Sequence, residues 1–182
     1  MKLRDYLRKL RGTTRGSPPR VSNSEIFWSW IGGLLGIAAL AGVNRLFFEG
    51  TELTILVGSF GASAVLVFGA SRSPLAQPRN LVGGHVLSAL VGVVCWKLLH
   101  HAPWLAQATA VATAIALMHA TRTLHPPGGA TALVATLGLP AIEKLGFLYV
   151  LVPAAVGPLV LLAVALVVNN IPATRRYPEI WF

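Results

Sequence analysis

Ten consecutive residues, Leu124 to Leu133, place groups that can do chemistry inside an otherwise apolar part of the chain: LHPPGGATAL. His125 has two ring nitrogens that donate or accept hydrogen bonds, and an unperturbed histidine titrates at about pH 6.5. The two prolines cannot continue a helix, although Pro127 suits the first turn of a new one. Because the start of a helix offers unpaired N–H donors and partial positive charge, this run predicts a binding site for a small anion.

A second run of small residues repeats the pattern. Gly61-Ala62-Ser63-Ala64-Val65-Leu66 matches Gly129-Ala130-Thr131-Ala132-Leu133-Val134 at an interval of 68 residues. If both runs open helices, with Ser59 as the N-cap of the first, residues 60–70 and 128–138 each cover about 16 Å, half of a hydrocarbon core about 30 Å thick. The sequence thus predicts two half-helices that begin near mid-membrane and aim their N–H groups at one cavity. The expected anion-binding residues are Ser59, Gly61, Ala62, Ser63, His125, Gly128, Gly129, Ala130 and Thr131, and the expected helix break is Pro126 and Pro127.

Two roles stay open for His125. It either serves an anion, as a donor or as the carrier of a co-transported proton, or it caps a nearby backbone carbonyl. His85 and His119 lie deeper in apolar segments, which favours packing or hydrogen bonds between helices. His119 and His125 are six residues apart, whereas a helical zinc motif pairs histidines four apart, so we expect no metal and no cofactor. Since no serine elbow and no acid within an apolar segment is present, we do not expect an enzyme.

The composition is that of a membrane protein. Of the 182 residues, 54% are hydrophobic and 12% are charged, against about 25% charged in a soluble domain. Six uncharged segments are each long enough to cross a bilayer, so we expect an all-helical protein with six crossings in two inverted three-segment repeats, about 24–99 and 100–170. The segments are Ile26–Asn44, Leu53–Ser71, Asn80–Trp96, Leu98–Thr121, Thr123–Ile142 and Leu145–Thr174.

The net charge of +9 reports orientation, because most of it falls on one side of these segments. Twelve of the 15 Lys and Arg residues lie on the side of the N-terminus, and three, Arg45, Lys97 and Lys144, lie on the other. The positive-inside rule therefore places both termini in the cytoplasm. Residues 1–23 form a basic amphipathic segment suited to an anionic membrane surface, and 171–182 form a cytoplasmic tail. No aromatic-interleaved basic groove is present, so nucleic acid is not an expected partner.

Arg72 and Arg79 flank the prolines of the stretch SRSPLAQPRNLVGGH, which precedes and opens the third segment. They could form a positive vestibule that raises the local concentration of an anion. Ordinary positive-inside anchoring explains the same residues, and the sequence leaves both interpretations open.

Two stretches, SFGASAVLVFGASRSPLAQPRNLVGGH (Ser59 to His85) and LHPPGGATAL, together resemble the HPP family of integral membrane proteins. The resemblance extends from about Ser24 to Asn170 and makes His125-Pro126-Pro127 and Gly61-Ala62-Ser63 the signature positions. It implies a multi-span protein of the kind found in bacteria and plastids, and some plant members are associated with nitrite transport.

The sequence therefore predicts a transporter or channel for small monovalent anions, nitrite or nitrate, in a bacterial inner membrane. Its expected partners are the anion, the lipid bilayer and a second copy of the chain. Two other functions stay open: a non-transporting sensor or scaffold that uses the break for close packing, and a channel for small neutral solutes.

Overall fold

The computed structural model describes residues 3–10, 16, 19–48 and 57–182, and every regular element within these ranges is a helix. The predicted all-helical class is confirmed for this part of the chain. A short 3₁₀ helix, Pro74–Ala76, lies between the third and fourth helices. In chain order the α-helices are α1 (Leu3–Leu10), α2 (Asn23–Phe48), α3 (Val57–Gly69), α4 (Pro78–Leu99), α5 (Pro103–Ala120), α6 (Pro126–Val134), α7 (Pro140–Leu145), α8 (Leu148–Leu151) and α9 (Val156–Val168).

Three stretches of the described chain are long and apolar enough to cross a membrane: Asn23–Leu46, Pro78–Leu99 and Leu148–Val168. Helices α3 and α6 have 13 and 9 residues. At 1.5 Å per residue they cover about 20 and 14 Å, less than a hydrocarbon core about 30 Å thick. The six predicted crossings are therefore not confirmed, and residues 53–56 of the second predicted segment lie outside the described ranges.

The helix contacts fall into two matching sets. Helix α2 packs against α3 and α9, and α3 packs against α9. Exchanging α2 with α5, α3 with α6 and α4 with α9 turns these contacts into α5–α6, α5–α4 and α6–α4, all of which are present. Two three-helix halves require such a pairing, but it does not fix their relative direction. The inverted repeat therefore stays a prediction.

The helical conformation is interrupted at the predicted place, directly before Pro126. His125 is extended, with φ −138° and ψ 104°, and α6 begins at Pro126 with both prolines in its first turn. The predicted helix over 128–138 thus begins two residues earlier and ends at Val134. Ser59 is not an N-cap, because the described part of α3 already begins at Val57.

Two glycines of α2 let α3 approach closely. A Cβ atom added to Gly32 would lie 2.4 Å from Phe68 Cδ1, and one added to Gly36 would lie 2.6 Å from Phe68 Cε2. The phenyl ring of Phe68, itself 1% exposed, fills the space that the two missing side chains leave. This G-x-x-x-G pair therefore serves packing within the chain.

The C-terminal segment, predicted as a tail, is bound to the helices. The Arg175 side chain is buried and makes an ion pair with Glu25 of α2, with Nε to Oε2 at 2.8 Å. The Tyr177 hydroxyl donates to the Ala76 carbonyl at 2.8 Å. Gln77 Oε1 accepts from the backbone N–H of Glu179 at 2.8 Å. The C-terminal segment thus holds the 3₁₀ helix in place through hydrogen bonds to Ala76 and Gln77.

Candidate functional site

Four polar side chains meet between α3, α4 and α6. Ser63 comes from α3, His85 from α4 and Thr131 from α6, and His125 directly precedes α6. Each of the four has 0% of its surface exposed. We call Ser63, His85, His125 and Thr131 the His–hydroxyl cluster.

Short hydrogen bonds join the cluster into one chain. Ser63 Oγ lies 2.7 Å from His85 Nε2 and 2.9 Å from His125 Nε2. On the other edge of its ring, His85 Nδ1 lies 2.7 Å from Thr131 Oγ1. His125 Nδ1 donates to the carbonyl oxygen of Leu75, in the 3₁₀ helix, at 2.8 Å. This series of hydrogen bonds thus links α6, α4 and α3 to the 3₁₀ helix.

The two hydroxyls occupy matching positions in the two small-residue runs. Ser63 and Thr131 are 68 residues apart, and each contacts a different nitrogen of the same imidazole, that of His85. Each also lies near the carbonyl oxygen four residues earlier: Ser63 Oγ is 3.1 Å from Ser59 O, and Thr131 Oγ1 is 3.5 Å from Pro127 O. The structure therefore brings the two runs together at His85.

Two glycines, Gly84 and Gly128, allow the interrupted segment before α6 to pack directly against α4. A Cβ atom added to Gly84 would lie 2.5 Å from His125 Cβ, and one added to Gly128 would lie 2.8 Å from Ser88 Oγ. Contacts this short do not occur between real side chains, so larger residues at Gly84 or Gly128 must displace His125 or α6. Gly128 was expected to help bind an anion. In the structure it leaves room for α4 instead.

The backbone N–H groups predicted to hold an anion are not free at these positions. Pro126 and Pro127 have no N–H, and the N–H of Gly128 donates to the His125 carbonyl at 2.8 Å. Residues 61–63 lie beyond the first four residues of the described α3, where helical N–H groups bond to carbonyls four residues earlier. The donors that the structure gathers are therefore side chains.

The other predicted residues surround the cluster without joining its chain of side-chain hydrogen bonds. Ser59 is 2% exposed and contributes its carbonyl oxygen. Pro127 is buried, and its carbonyl oxygen faces the Thr131 hydroxyl. Of the remaining positions, Gly61, Gly129 and Ala130 are half-buried, and Ala62 and Pro126 are exposed.

The cluster lies deep within a predicted span. His85 is about 5 Å along the axis from the midpoint of α4, at 1.5 Å per residue. Polar side chains at this depth are costly in lipid and mark functional positions by default. Among the described residues, every buried side-chain nitrogen or oxygen has a hydrogen-bond partner. The cost of placing two imidazoles here is thus offset by internal bonds.

A basic cavity adjoins the His125 end of the cluster. It measures about 210 Å³ and is lined by Arg79 and Arg122, and also by Pro74 and Gln77, which flank the Leu75–Ala76 pair. Asn80 lines it as well and donates from Nδ2 to the Leu124 carbonyl, beside His125, at 2.9 Å. Of the predicted vestibule residues, Arg79 is part of this cavity. Arg72 is not among the lining residues and donates to the Thr174 carbonyl.

A second cavity lies at the opposite end of α4. It measures about 240 Å³, and its lining includes Val93, Trp96, Lys97 and Glu143. The indole N–H of Trp96 donates to Glu143 Oε1 at 2.8 Å. The two cavities thus flank the His–hydroxyl cluster along α4.

His85 is the residue of the cluster that sequence reasoning placed least well. It was expected to pack or to bond between helices, and it does bond to two other helices, but it is also the centre of the cluster. The pair Gly83-Gly84 directly before it was the available signal, because small residues mark close helix approach. His119 is exposed and takes no part in the cluster. Within the described residues, no group of three or more metal-ligating side chains is present.

Comparisons with known proteins agree with the resemblance seen in the motifs. The sequence matches the family described as HPP, transmembrane region, over residues 18–178. Two transmembrane proteins of Dictyostelium discoideum are 45% identical over 180 residues and 42% identical over 181 residues. Each alignment covers 97% of this chain, but only 57% and 63% of the relatives' own lengths. No solved structure matches. Together with helices that can cross a membrane, these matches show that the chain belongs to the HPP family of transmembrane proteins.

Proposed function

We propose that this protein carries a small monovalent anion, such as nitrite or nitrate, across a membrane by way of the His–hydroxyl cluster. The observation that carries the proposal is the burial of two imidazoles and two hydroxyls, joined to one another, at the depth of a membrane-spanning helix. Nitrite in particular comes from the family resemblance. The bacterial inner membrane, the cytoplasmic termini and the dimer are also parts of this proposal.

The charge distribution favours an anion. Arg79 and Arg122 line the cavity at the His125 end, where they attract negative ions from solution. The cluster itself contains no carboxylate, whereas cation pathways are commonly ringed by Asp or Glu. Glu25 is paired with Arg175, and Glu143 belongs to the far cavity. Side-chain N–H and O–H groups remain as the ligands, and these suit an anion.

The cluster is closed in this structure, so passage requires the helices around it to open. Helix α6 is short and packs against α4 at glycines, with the hydrogen bond between His85 and Thr131 connecting the two helices. We infer that displacement of α6 against α4 exposes the cluster to one cavity and then to the other. Such movement of a broken helix about a central site is the usual form of alternating access.

Flux measurements test the proposal. Proteoliposomes that contain the protein should take up nitrite and nitrate faster than protein-free liposomes, and His125→Gln and Ser63→Ala should reduce the protein-dependent rate at least tenfold. His119→Gln is the matched control, because it removes an exposed histidine outside the cluster. Equal rates of nitrite and nitrate uptake with and without the protein would refute the proposal.

A second candidate is a sensor or scaffold that does not transport. It is favoured by the complete set of internal hydrogen bonds, which a purely structural cluster also requires. In that case His125→Gln changes stability, and no anion or neutral solute crosses the membrane faster in the presence of the protein. Uptake of a neutral solute such as urea, without nitrate uptake, would instead favour the neutral-solute channel.

A further inference from the structure

We propose that the His–hydroxyl cluster binds one proton together with each anion, so that transport is electroneutral. This inference rests on the proposed anion transport and adds a proton site to it. It follows from the directions of the hydrogen bonds, from the two backbone carbonyl oxygens within reach of the hydroxyls and from the absence of other charge in the cluster.

The Leu75 carbonyl fixes the direction of the whole chain. A carbonyl oxygen only accepts, so Nδ1 of His125 carries a hydrogen, and Nε2 of the neutral ring must accept. The Ser63 hydroxyl therefore donates to His125, and its oxygen accepts from Nε2–H of His85. Nδ1 of His85 is then an acceptor and receives the hydroxyl hydrogen of Thr131.

In this neutral state the cluster has no hydrogen to offer a ligand. All four hydrogens of the chain are directed at partners within it, at distances of 2.7 to 2.9 Å. An anion that enters meets only lone pairs or occupied donors. Another proton adds one more hydrogen and a positive charge to the cluster.

The structure provides a place for that proton at either imidazole. When Nε2 of His125 gains a hydrogen, the Ser63 hydroxyl can turn to the Ser59 carbonyl, 3.1 Å away. When Nδ1 of His85 gains one, the Thr131 hydroxyl can turn to the Pro127 carbonyl, 3.5 Å away. In both cases one N–H bond forms as hydronium gives up one O–H bond and becomes water, no covalent bond within the protein breaks, and no two hydrogens face each other. The charge of the imidazolium is then +1.

Among the residues that the structure describes, no other charge in contact with the cluster can neutralise this proton. The groups that face it are hydroxyls and carbonyls from α3, α6 and the 3₁₀ helix, and Tyr149 of α8, whose hydroxyl donates to the Thr131 carbonyl at 3.0 Å. Helix α9 has no titratable residue, and His119 of α5 is exposed. Arg79 is at the start of α4, where it bonds to the Thr121 carbonyl at 2.7 Å.

An isolated charge in this interior is unfavourable, and so is an isolated anion. A proton and a monovalent anion together carry no net charge, so each makes the entry of the other more favourable. The coupling is therefore one proton to one anion.

Vesicles under two different driving forces test the stoichiometry. Nitrate is the first probe, because it is the anion of a strong acid and crosses protein-free vesicles slowly. With the membrane potential held at zero by valinomycin and equal potassium, a pH gradient, acidic outside, should drive nitrate accumulation of about tenfold per pH unit, since each 1.4 kcal/mol is a factor of ten. A potassium diffusion potential without a pH gradient should drive none. A pH dye inside the vesicles should report acidification on addition of nitrate.

The outcomes separate this inference from the function it rests on. Protein-dependent nitrate flux that follows the potential and ignores the pH gradient would overturn the proton site while leaving anion transport intact. Absence of protein-dependent flux under both forces would overturn both. These measurements use the unmodified protein, so they do not depend on the folding of any variant.

Variants then locate the proton. Thr131→Val keeps the shape of the side chain but removes the hydroxyl that turns aside, and it should reduce pH-driven accumulation at least tenfold. Thr131→Ser retains the hydroxyl and should restore it, and His119→Gln should match the unmodified protein. Equal pH-driven accumulation in Thr131→Val and Thr131→Ser would overturn a proton site at Nδ1 of His85.

Discussion

Replacing Ser63 by alanine removes the one hydroxyl that contacts both imidazoles. Its oxygen is 2.7 Å from His85 Nε2 and 2.9 Å from His125 Nε2, so the substitution leaves two buried ring nitrogens without that partner. Hydrogen bonds between helices in membranes contribute about 0.6 kcal/mol on average and about 1.7 kcal/mol at most. Two such bonds predict a loss of about 1 to 3.5 kcal/mol in the free energy of unfolding.

Ser88→Ala is the matched control. Ser88 is also fully buried, but within the described part of the chain its hydroxyl donates only to Met118 Sδ, at 3.6 Å. Because a thioether sulfur is a weak acceptor, we expect a loss of at most about 0.5 kcal/mol. Reversible unfolding in mixed lipid–detergent micelles, followed by tryptophan fluorescence, measures both values. Losses that agree within about 0.5 kcal/mol would refute the claim that the cluster stabilises the packing of α3, α4 and the residue before α6.

Three further substitutions or conditions test other contacts. Gly36→Leu should cost about 1 to 3 kcal/mol, because its Cβ would lie 2.6 Å from a phenyl carbon of α3, whereas Gly33→Leu, with no atom within 4 Å, should cost little in the same unfolding assay. Arg175→Gln should cost about 3 kcal/mol, because it breaks a mostly buried ion pair with Glu25; Glu25→Gln, which retains the guanidinium's other bonds, should cost less. Burial raises the pKa of Tyr177 above its ordinary value. The folded state then holds the phenol proton of Tyr177 more tightly than the unfolded state does. The contribution of Tyr177 to stability should therefore persist below about pH 10 and fall above it. The difference in melting temperature between the unmodified protein and Tyr177→Phe should shrink above that pH. A melting-temperature difference that stays constant up to about pH 12 would contradict this role of the Tyr177 proton.

The sequence predicted the parts of this fold that depend on local rules. A proline pair cannot continue a helix but suits the first turn of a new one, so the helix start at Pro126 was predictable. The matching positions of Ser63 and Thr131 were also visible, because a repeat of small residues survives in the sequence. The excess of free N–H donors was predicted wrongly, since prolines remove two of them and a 3₁₀-type bond to the His125 carbonyl takes the third.

The rest depends on contacts between residues distant in sequence. His85 is 22 residues from Ser63 and 46 from Thr131, and no periodic pattern connects them. The docking of Arg175 onto Glu25, 150 residues earlier, is likewise invisible in the sequence. The first arises when α3, α4 and α6 pack together, and the second when residues 172–177 pack against α2. Such long-range pairs set the chemistry of the candidate site, although local rules set the helices that present them.

The C-terminal segment has a consequence for how this protein should be handled. Through Tyr177 and Gln77 it clamps the 3₁₀ helix whose Leu75 carbonyl determines which nitrogen of His125 carries hydrogen. Residues 177–179 are thus connected to the buried imidazole of His125 through the 3₁₀ helix and its hydrogen bonds. Measurements of protonation or flux should therefore leave residues 177–179 unaltered.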